Sequence, residues 1–571
     1  MIFNELFLKF ANENRLKFLF YFIIIILVLP TESIILSRVY SILFDNVRTT
    51  GEKTVGKVAL SLSLFTDQLK KKGPLYYISI IGGLWLVVFI GYMCRQVFES
   101  KIIPEYLQFV RSVIFKGLIE KYEGDYKDVK IGETITRLFE LSRNMKDLMI
   151  SIIGTLIPLF LGITILSGYI LCCYPKIGII LIVSLFMLLL LGILLGKRAA
   201  KLSAERENAF IKLSENYSDT FGNLMNIYLN NTLNEEEKKQ TKNEDTNKGC
   251  YSKQYITQKN LYLILCLIAM TTFMMVLIVS YSNLLNKKLN AIEFSSLIIM
   301  MLYYLDYLIR FANELPQMFL KYGVISNSRT FLNDILHYST KAHKINTITN
   351  GKIELKKIYF KYSKTDDYIL KDFSLTIDAN KKVALLGKSG SGKTTIMKLI
   401  LGMHKVSSGK ILIDGTDITE LKLSYLRKEV NYINQRTLLF NDTVINNMKY
   451  GNNKSNQDVV DILNKYNLMD LYSNLAKGIN TNVGVNGSNL SLGMQKVTII
   501  LRGLLKGGKI VILDEPLAGL DSHTREKIME LINNLCMNKT VLIITHDPEV
   551  IPYMDSVYNM SELNEKQINE S

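Results

Sequence analysis

Gly387-Lys388-Ser389-Gly390-Ser391-Gly392-Lys393-Thr394 fits G-x-x-x-x-G-K-[ST], a loop that cradles phosphate groups. The apolar run Val383-Ala384-Leu385-Leu386 precedes it, and Thr395-Ile396-Met397-Lys398-Leu399-Ile400 follows with a helix-like pattern. Strand, glycine-rich loop and helix are the context the motif requires. The glycines let the backbone close around phosphate oxygens with its N–H groups turned inward. The helix N-terminus adds partial positive charge. Gly387, Ser389, Gly390, Ser391 and Gly392 read as the cradle, with Thr395 on its helical edge. Lys393 is placed to reach the β- and γ-phosphates, and the Thr394 hydroxyl to hold Mg²⁺. The C-terminal part therefore binds a nucleoside triphosphate, and the rest of the chain decides how the energy is used.

Working outward, a chain of 571 residues is long enough for two or more domains. It is 48% hydrophobic, yet its last third reads as ordinary soluble sequence. The apolar excess is concentrated upstream and predicts a membrane domain. The net charge of +16 is not gathered on a nucleic-acid-binding motif, so no nucleic-acid partner is expected. A Lys- and Asn-rich composition and basic membrane loops account for it. Cys94, Cys172, Cys173, Cys250, Cys266 and Cys536 show no metal spacing and read as reduced core or membrane residues. The first apolar run contains Pro30 and Glu32 and is followed by no small-residue cleavage site, so it reads as a retained signal-anchor helix.

Six apolar runs reach the roughly twenty residues needed to span a bilayer. They cover about 18–37, 75–94, 149–171, 177–196, 261–281 and 291–311. The turn between the third and fourth, around Cys172–Lys176, is short, as is the one at 282–290. The connections 97–147 and 198–259 are long, charged and helically periodic. They carry the larger share of Lys and Arg, which puts them in the cytoplasm by the positive-inside rule, although Lys70-Lys71-Lys72 falls on the other side. Short elbows around 107–118 and 221–228 are candidates for contact with a soluble motor. Glu32, Arg38, Asp306 and Arg310 lie within or at the ends of spans; the last two are four residues apart and able to pair on one face.

From Gly351 the pattern changes to short alternating runs. Residues 352–359 and 373–377 read as strands leading to the phosphate loop. Tyr362 is either a base-stacking residue or a strand aromatic. The apolar strand Ile510-Val511-Ile512-Leu513 ends in Asp514-Glu515, where Asp514 takes Mg²⁺ through water and Glu515 polarises the attacking water. Gln435, after Val430–Ile433, is placed to sense both metal and γ-phosphate. His546 follows the strand Val541–Thr545 and is placed against the γ-phosphate.

With Leu490-Ser491-Leu492-Gly493-Met494 included, the order of motifs resembles the nucleotide-binding domain of ATP-binding cassette (ABC) transporters. The six-span half resembles exporters in which membrane and ATPase domains are fused. That resemblance covers nearly the whole chain. It implies ATP and Mg²⁺ as cofactors, with Tyr362 as the base-stacking aromatic and Gln435 in the metal-sensing loop. It also implies Ser491 and Gly493 as signature residues closing over ATP on a partner's phosphate loop, Asp521 in the loop beside it, and His546 as the switch histidine. One membrane half and one motor half require a dimer to complete a site. Three departures stand out. The family's LSGGQ reads LSLGM, residues 481–487 lack the usual acidic positions at Asn482 and Val485, and Asn380 stands where a turn glycine is usual but tolerates φ > 0.

The expected architecture is a membrane α-helical domain of six transmembrane helices with long cytoplasmic extensions, followed by an α/β P-loop NTPase domain. Its bounds are 1–330 for the membrane domain, 331–350 for a linker and 351–571 for the nucleotide-binding domain. The expected function is an ATP-hydrolysing exporter that moves an unidentified substrate by alternating access. Its partners are membrane lipid and a second half-transporter, identical or different, in the cell membrane with the motor in the cytoplasm. The alternative is a poorly active half-transporter of a heterodimer, or a non-transport membrane ATPase. A soluble P-loop protein acting on DNA is excluded by the six spans.

Overall fold

The computed structural model describes residues 2–49, 74–124, 131–336, 347–362, 367–388, 390–434 and 437–560. The chain divides into two compact units, one of residues 1–119 and 128–338, the other of 120–127 and 339–571.

The first unit is helical. An amphipathic helix α1 (Ile2–Glu13) buries Leu6 and Phe10. Six stretches are long and apolar enough to cross a membrane: Arg15–Val47, Pro74–Glu123, Gly132–Cys173, Pro175–Gly222, Leu233–Leu285 and Ala291–Asn327. The first joins α2 (Arg15–Pro30) to α3 (Leu36–Thr49) through a π-helical segment, Thr31–Ile35. The third joins α5 (Ile131–Met149) to α6 (Ile157–Cys173) through a second, Ile150–Leu156. Between them runs α4 (Pro74–Gly124); after them come α7 (Pro175–Gly222), a short α8 (Leu224–Leu229), α9 (Leu233–Leu285), α10 (Ala291–Asn327) and α11 (Arg329–Leu336).

The reasons are local. Pro175 opens α7 at its first helical position, where its missing N–H costs no hydrogen bond, and this shrinks the turn after Cys173 to Tyr174. Asn290 and Glu293 cap α10 reciprocally, at 2.8 and 2.9 Å. Gly192 and Gly196, four apart on α7, leave room for Leu315 and Phe319 of α10, the small-residue packing that helices use in lipid. Only 22–39% of each apolar window is buried within the protein, so the remaining apolar surface faces outward, as lipid contact requires.

The longest helix, α9, has 53 residues, or about 80 Å, against a hydrocarbon core of about 30 Å. The charged connections are thus continuations of the spans. Residues 107–118, read as an elbow, lie inside uninterrupted α4, which runs on to Gly124. The second candidate, 221–228, does contain a break, at Asn223 between α7 and α8. The expected linker begins as helix, since α11 reaches Leu336. Asp306 and Arg310 pair as anticipated, at 2.9 Å. All six cysteines are free.

The second unit is α/β. Its strands are β1 (Ile353–Phe360), β2 (Leu370–Ile377), β3 (Lys382–Leu386), β4 (Ser408–Ile413), β5 (Thr416–Asp417), β6 (Val430–Ile433), β7 (Ile510–Asp514), β8 (Thr540–Ile544) and β9 (Ser556–Asn559). A five-stranded parallel sheet has the order β6-β7-β8-β3-β9, and a four-stranded antiparallel sheet the order β2-β1-β4-β5. Strands β7 and β8 are buried throughout, as expected of a parallel sheet covered on both faces. Asn380 adopts φ +61°, the conformation its side chain tolerates. The Asp414 carboxylate gathers the backbone N–H groups of Thr349, Asn350, Gly351 and Lys352 at 2.8–3.0 Å, tying the start of this unit to the end of β4.

Candidate functional site

Strands β7, β8 and β3 are neighbours and parallel, so the segments leaving their carboxyl ends meet at one edge of the sheet, where ligands of such folds bind. Those segments carry Asp514-Glu515, Thr545-His546 and the phosphate loop.

In that loop Gly390 and Gly392 have φ of +81° and +96°. Both are left-handed and favour glycine. Gly392 immediately precedes helix α12 (Lys393–Ile400), whose N-terminus opens onto the loop. A Cβ at Gly387 would stand 2.9 Å from Met560 and 3.0 Å from the Ser391 hydroxyl. Lys393 Nζ donates to the carbonyls of Gly387 and Lys388 at 2.5 and 2.8 Å. Burial pulls the Lys393 ammonium pKa down, and Glu515 and Asp514 pull it partly back. The Ser391 hydroxyl oxygen is buried with no hydrogen-bond partner among the described residues. A buried polar atom of that kind calls for a partner, and a phosphate oxygen supplies it.

Asp514 is buried and accepts the Tyr432 hydroxyl at 3.2 Å. Burial pushes its carboxyl above the usual range; the Tyr432 bond eases this, Glu515 adds to it, and Lys393 and the Thr394 hydroxyl ease it further. Thr394 and Asp514 together offer hard oxygens beside the phosphate loop, a donor set that suits Mg²⁺.

Glu515 follows the strand with φ +51°, a conformation that costs a non-glycine residue about 1–2 kcal/mol. Its N–H donates to the Ile544 carbonyl at 2.9 Å. One carboxylate oxygen accepts the Thr545 hydroxyl at 3.2 Å; the other lies 2.7 Å from His546 Nδ1. The Glu515 side chain is 13% exposed and that of His546 74%. A fixed carboxylate thus meets a histidine open to solvent. Lys496 reaches across to the carbonyls of Glu515, at 3.3 Å, and Ala518.

Tyr362 places its hydroxyl 3.2 Å from that of Thr395 and its ring edge-on to Phe360 and His404. The ring is half-exposed beside α12, with Lys398 Nζ 5.8 Å from its centroid. Gln435 and Ser389 lie outside the described residues.

The Ser491 hydroxyl caps helix α16, the helix Leu492–Leu505 that follows α13 (Leu423–Glu429), α14 (Val444–Lys449) and α15 (Asn456–Lys465), by accepting the Met494 N–H at 3.3 Å. Gly493 has Leu520 as its nearest neighbour, at 3.8 Å from a built Cβ. Asp521 caps α17 (Ser522–Leu535), accepting the Thr524 N–H and hydroxyl at 2.9 and 2.7 Å; these bonds hold its carboxyl below the usual range. No hydrogen bond or ion pair among the described residues joins Ser491, Gly493 or Asp521 to the phosphate loop of the same chain.

The altered signature also has a structural reading. Leu492 is 73% exposed, whereas Met494 packs against the domain's own core. The polar work near the fifth signature position passes to Gln495, which donates to the carbonyls of Gly487 and Leu490 at 2.9 and 3.0 Å. Residues 481–487 turn through Gly484 at φ +76° and Asn486 at φ +56° and are pinned by Val483 N–H to the Asp442 carbonyl.

Tyr432, Lys496 and Thr545 were not assigned roles from the sequence. Thr545 adjoins His546, so its position flagged it; Lys496 lies two residues beyond the quoted signature run, and its contacts with Glu515 and Ala518 come from the fold. Nothing local marks Tyr432, which reaches Asp514 only because β6 and β7 pair.

A family model described as the ABC transporter transmembrane region matches residues 16–310, and one described as ABC transporter matches residues 370–518. A Rickettsia typhi protein whose name proposes an export ATP-binding/permease protein is 27% identical over 476 residues, 81% of each chain. An ATP-dependent lipid A-core flippase of Syntrophus aciditrophicus is 38% identical over 207 residues, which is 36% of this chain and 34% of the flippase. Among solved structures, a bacterial Atm1-family ABC exporter with ATP bound superposes with a TM-score of 0.82 at 18% identity, covering 95% of this chain and 93% of that one.

Proposed function

This chain belongs to the ABC transporter family, and from that premise we propose that it is an ATP-hydrolysing exporter working as a dimer. The observation that carries the reading is the meeting of Lys393, Thr394, Asp514, Glu515 and His546 at one edge of a parallel sheet, in a chain with six membrane-crossing helices. Bound ATP with Mg²⁺ would supply a phosphoryl group whose transfer to water releases the energy used.

The chain's own residues have distinct tasks. Lys393 is the cation nearest the transferred group, and its hold on the loop carbonyls is exchangeable for phosphate oxygens. Asp514 and Thr394 hold the metal. Glu515 takes up the proton of the attacking water, since its left-handed backbone and the Thr545 hydroxyl fix the direction of its carboxylate. His546 steadies that carboxylate from the solvent side. Tyr362 stacks on the base. Gln435 senses the metal site. Ser491, Gly493 and Asp521 face a partner's phosphate loop, because none of them serves the loop of its own chain.

The proposed organisation is membrane domain 1–330, linker 331–350 and motor 351–571. The motor and the helical extensions share the cytoplasm, and the membrane is the cell membrane. The named relatives include lipid flippases, so a lipid-like substrate is the class to test first.

A second reading, a weakly active member of a heterodimer, is favoured by Leu492 in the signature and by the acid-poor segment 481–487. The purified chain alone, reconstituted in lipid, separates the two. Vanadate-sensitive ATP hydrolysis that rises with its concentration in the membrane supports the homodimeric exporter. Hydrolysis that appears only when a second half-transporter is added supports the heterodimer.

A further inference from the structure

The proposed export activity leaves the substrate open, and a cavity in the first unit bears on it. A space of about 300 Å³ lies among α2, α4, the second π-helical segment with the start of α6, and α10. One wall is apolar and includes Ile24, Ile25, Val28, Leu29 and Leu159. The other carries Tyr92, Arg95, Tyr307 and Arg310. Arg95 and Arg310 mark where their apolar runs give way to the charged extensions, so the cavity sits toward that end of the spans.

The π-helical segment builds part of this wall. Its altered hydrogen-bonding leaves carbonyls for neighbours: Ile153 accepts the Tyr21 hydroxyl at 3.3 Å and Gly154 accepts Arg95 Nη2. Arg95 is also aimed by Glu99, at 2.8 Å. Arg310 gives only its Nε–H, to Asp306 at 2.9 Å, so its two terminal amino groups are uncommitted among the described residues. Tyr307 is buried, and its hydroxyl has no hydrogen-bond partner there; its neighbour Ser33 gives its proton to the Leu29 carbonyl at 2.7 Å.

The lining decides the sign of the ligand. Both charged groups on the cavity surface are guanidinium, while the carboxylates Glu32, Glu99 and Asp306 stand behind the lining and hold it. Guanidinium forks match the oxygens of a phosphate or carboxylate. The aliphatic wall matches a hydrocarbon. We propose that this cavity binds the anionic, oxygen-rich head of an apolar-tailed molecule, with Arg310 and Arg95 holding the head and the α2 wall taking the first part of the tail. This rests on the exporter reading, of which it names the substrate class.

The test uses the full-length chain in phosphatidylcholine membranes without nucleotide. Spin-labelled phosphatidic acid and spin-labelled phosphatidylcholine are compared by the immobilised fraction each shows. The anionic label should be preferred, and Arg310→Gln should cut that preference about fivefold or more, the size of one lost charge-assisted contact. Thermal unfolding checks that the variant is folded. Equal retention of both labels by the wild type, or an unchanged preference in folded Arg310→Gln, overturns the proposal. Displacement of the label by unlabelled phosphatidic acid but not by inorganic phosphate supports the amphiphile; equal displacement by inorganic phosphate overturns the tail. Lys393→Ala should bind the label as the wild type does, so a failed motor and a failed cavity are told apart.

Discussion

At the scale of single residues, Lys393→Ala and Glu515→Gln should fail differently. The first removes the cation nearest the phosphates and should weaken ATP binding as well as hydrolysis. The second keeps the shape of the side chain and its contact with Thr545, so ATP should bind while hydrolysis falls about a hundredfold or more, the range for a lost general base. Cross-linking with ATP should show the Glu515→Gln motors associating more than the wild type; no gain in association would speak against the catalytic-base role. Asp514 makes a second prediction. Its folded pKa is raised by burial, so the ionised form is disfavoured and stability declines as pH rises from the unfolded value through the folded one. Asp514→Asn should therefore melt higher than the wild type at neutral pH without Mg²⁺, and should lose the Mg²⁺-dependent stabilisation that ATP gives. An unchanged melting temperature would refute the buried-charge account. Lys393, Glu515 and His546 were legible because their order along the chain is fixed by strand ends. Tyr432 and Lys496 were not, because only the tertiary fold brings them to Asp514 and Glu515.

Elements were legible in proportion to their hydrophobic signal. Strand β6 begins and ends where its apolar run does, β7 runs one residue past its own to Asp514, and β1 is displaced by one residue at each end from its expected bounds. The helices α4, α7 and α9 outrun the apolar segments that announced them, because a solvated extension carries no apolar marker at its end. The elbow expected at 107–118 failed for that reason. The two π-helical segments left no trace in composition at all. Asp414 is another silent feature: a single aspartate after β4 that collects four backbone N–H groups. Burial raises its pKa, but those bonds outweigh it and the net shift is downward. Its contribution is present above the unfolded pKa and is lost as pH falls through the folded one. Asp414→Ala should destabilise the second unit by about 2 kcal/mol, the worth of charge-assisted hydrogen bonds at a partly exposed site. Calorimetry should find the gap between variant and wild type closing in acid. A constant gap down to low pH would mean the aspartate acts by packing and not by charge.

At the scale of the whole molecule the orientation in the membrane is the decisive test. The six spans and the fused motor were readable from hydropathy and motif order, and the family models match both halves. Which face is cytoplasmic rests on the Lys and Arg count and on the motor's need for ATP. Cys173 is exposed at the turn before α7, and Cys250 lies in the charged part of α9. A membrane-impermeant thiol reagent should label Cys173 on intact cells and Cys250 only after permeabilisation. Labelling of Cys250 on intact cells would reverse the orientation and separate the motor from its fuel.

The π-helical segment Thr31–Ile35 has a consequence for the register of the first span. Each residue added to an α-helix turns everything after it by about 100°. The wide turn absorbs such an offset, so the residues beyond it face directions that an unbroken helix would not give them. Arg38, which donates to the Tyr169 hydroxyl at 2.9 and 2.7 Å, depends on that offset. Were all five residues to run as regular α-helix, Arg38 would swing about a quarter-turn away from Tyr169, whereas losing one codon in this stretch would remove the wide turn and the extra residue together and leave Arg38 facing as it does. The shortened chain should insert in the membrane and keep the facing of every residue from Leu36 to the end of α3, whereas a codon lost within α3 itself, where no wide turn can take up the change, would turn every residue after it by about 100°.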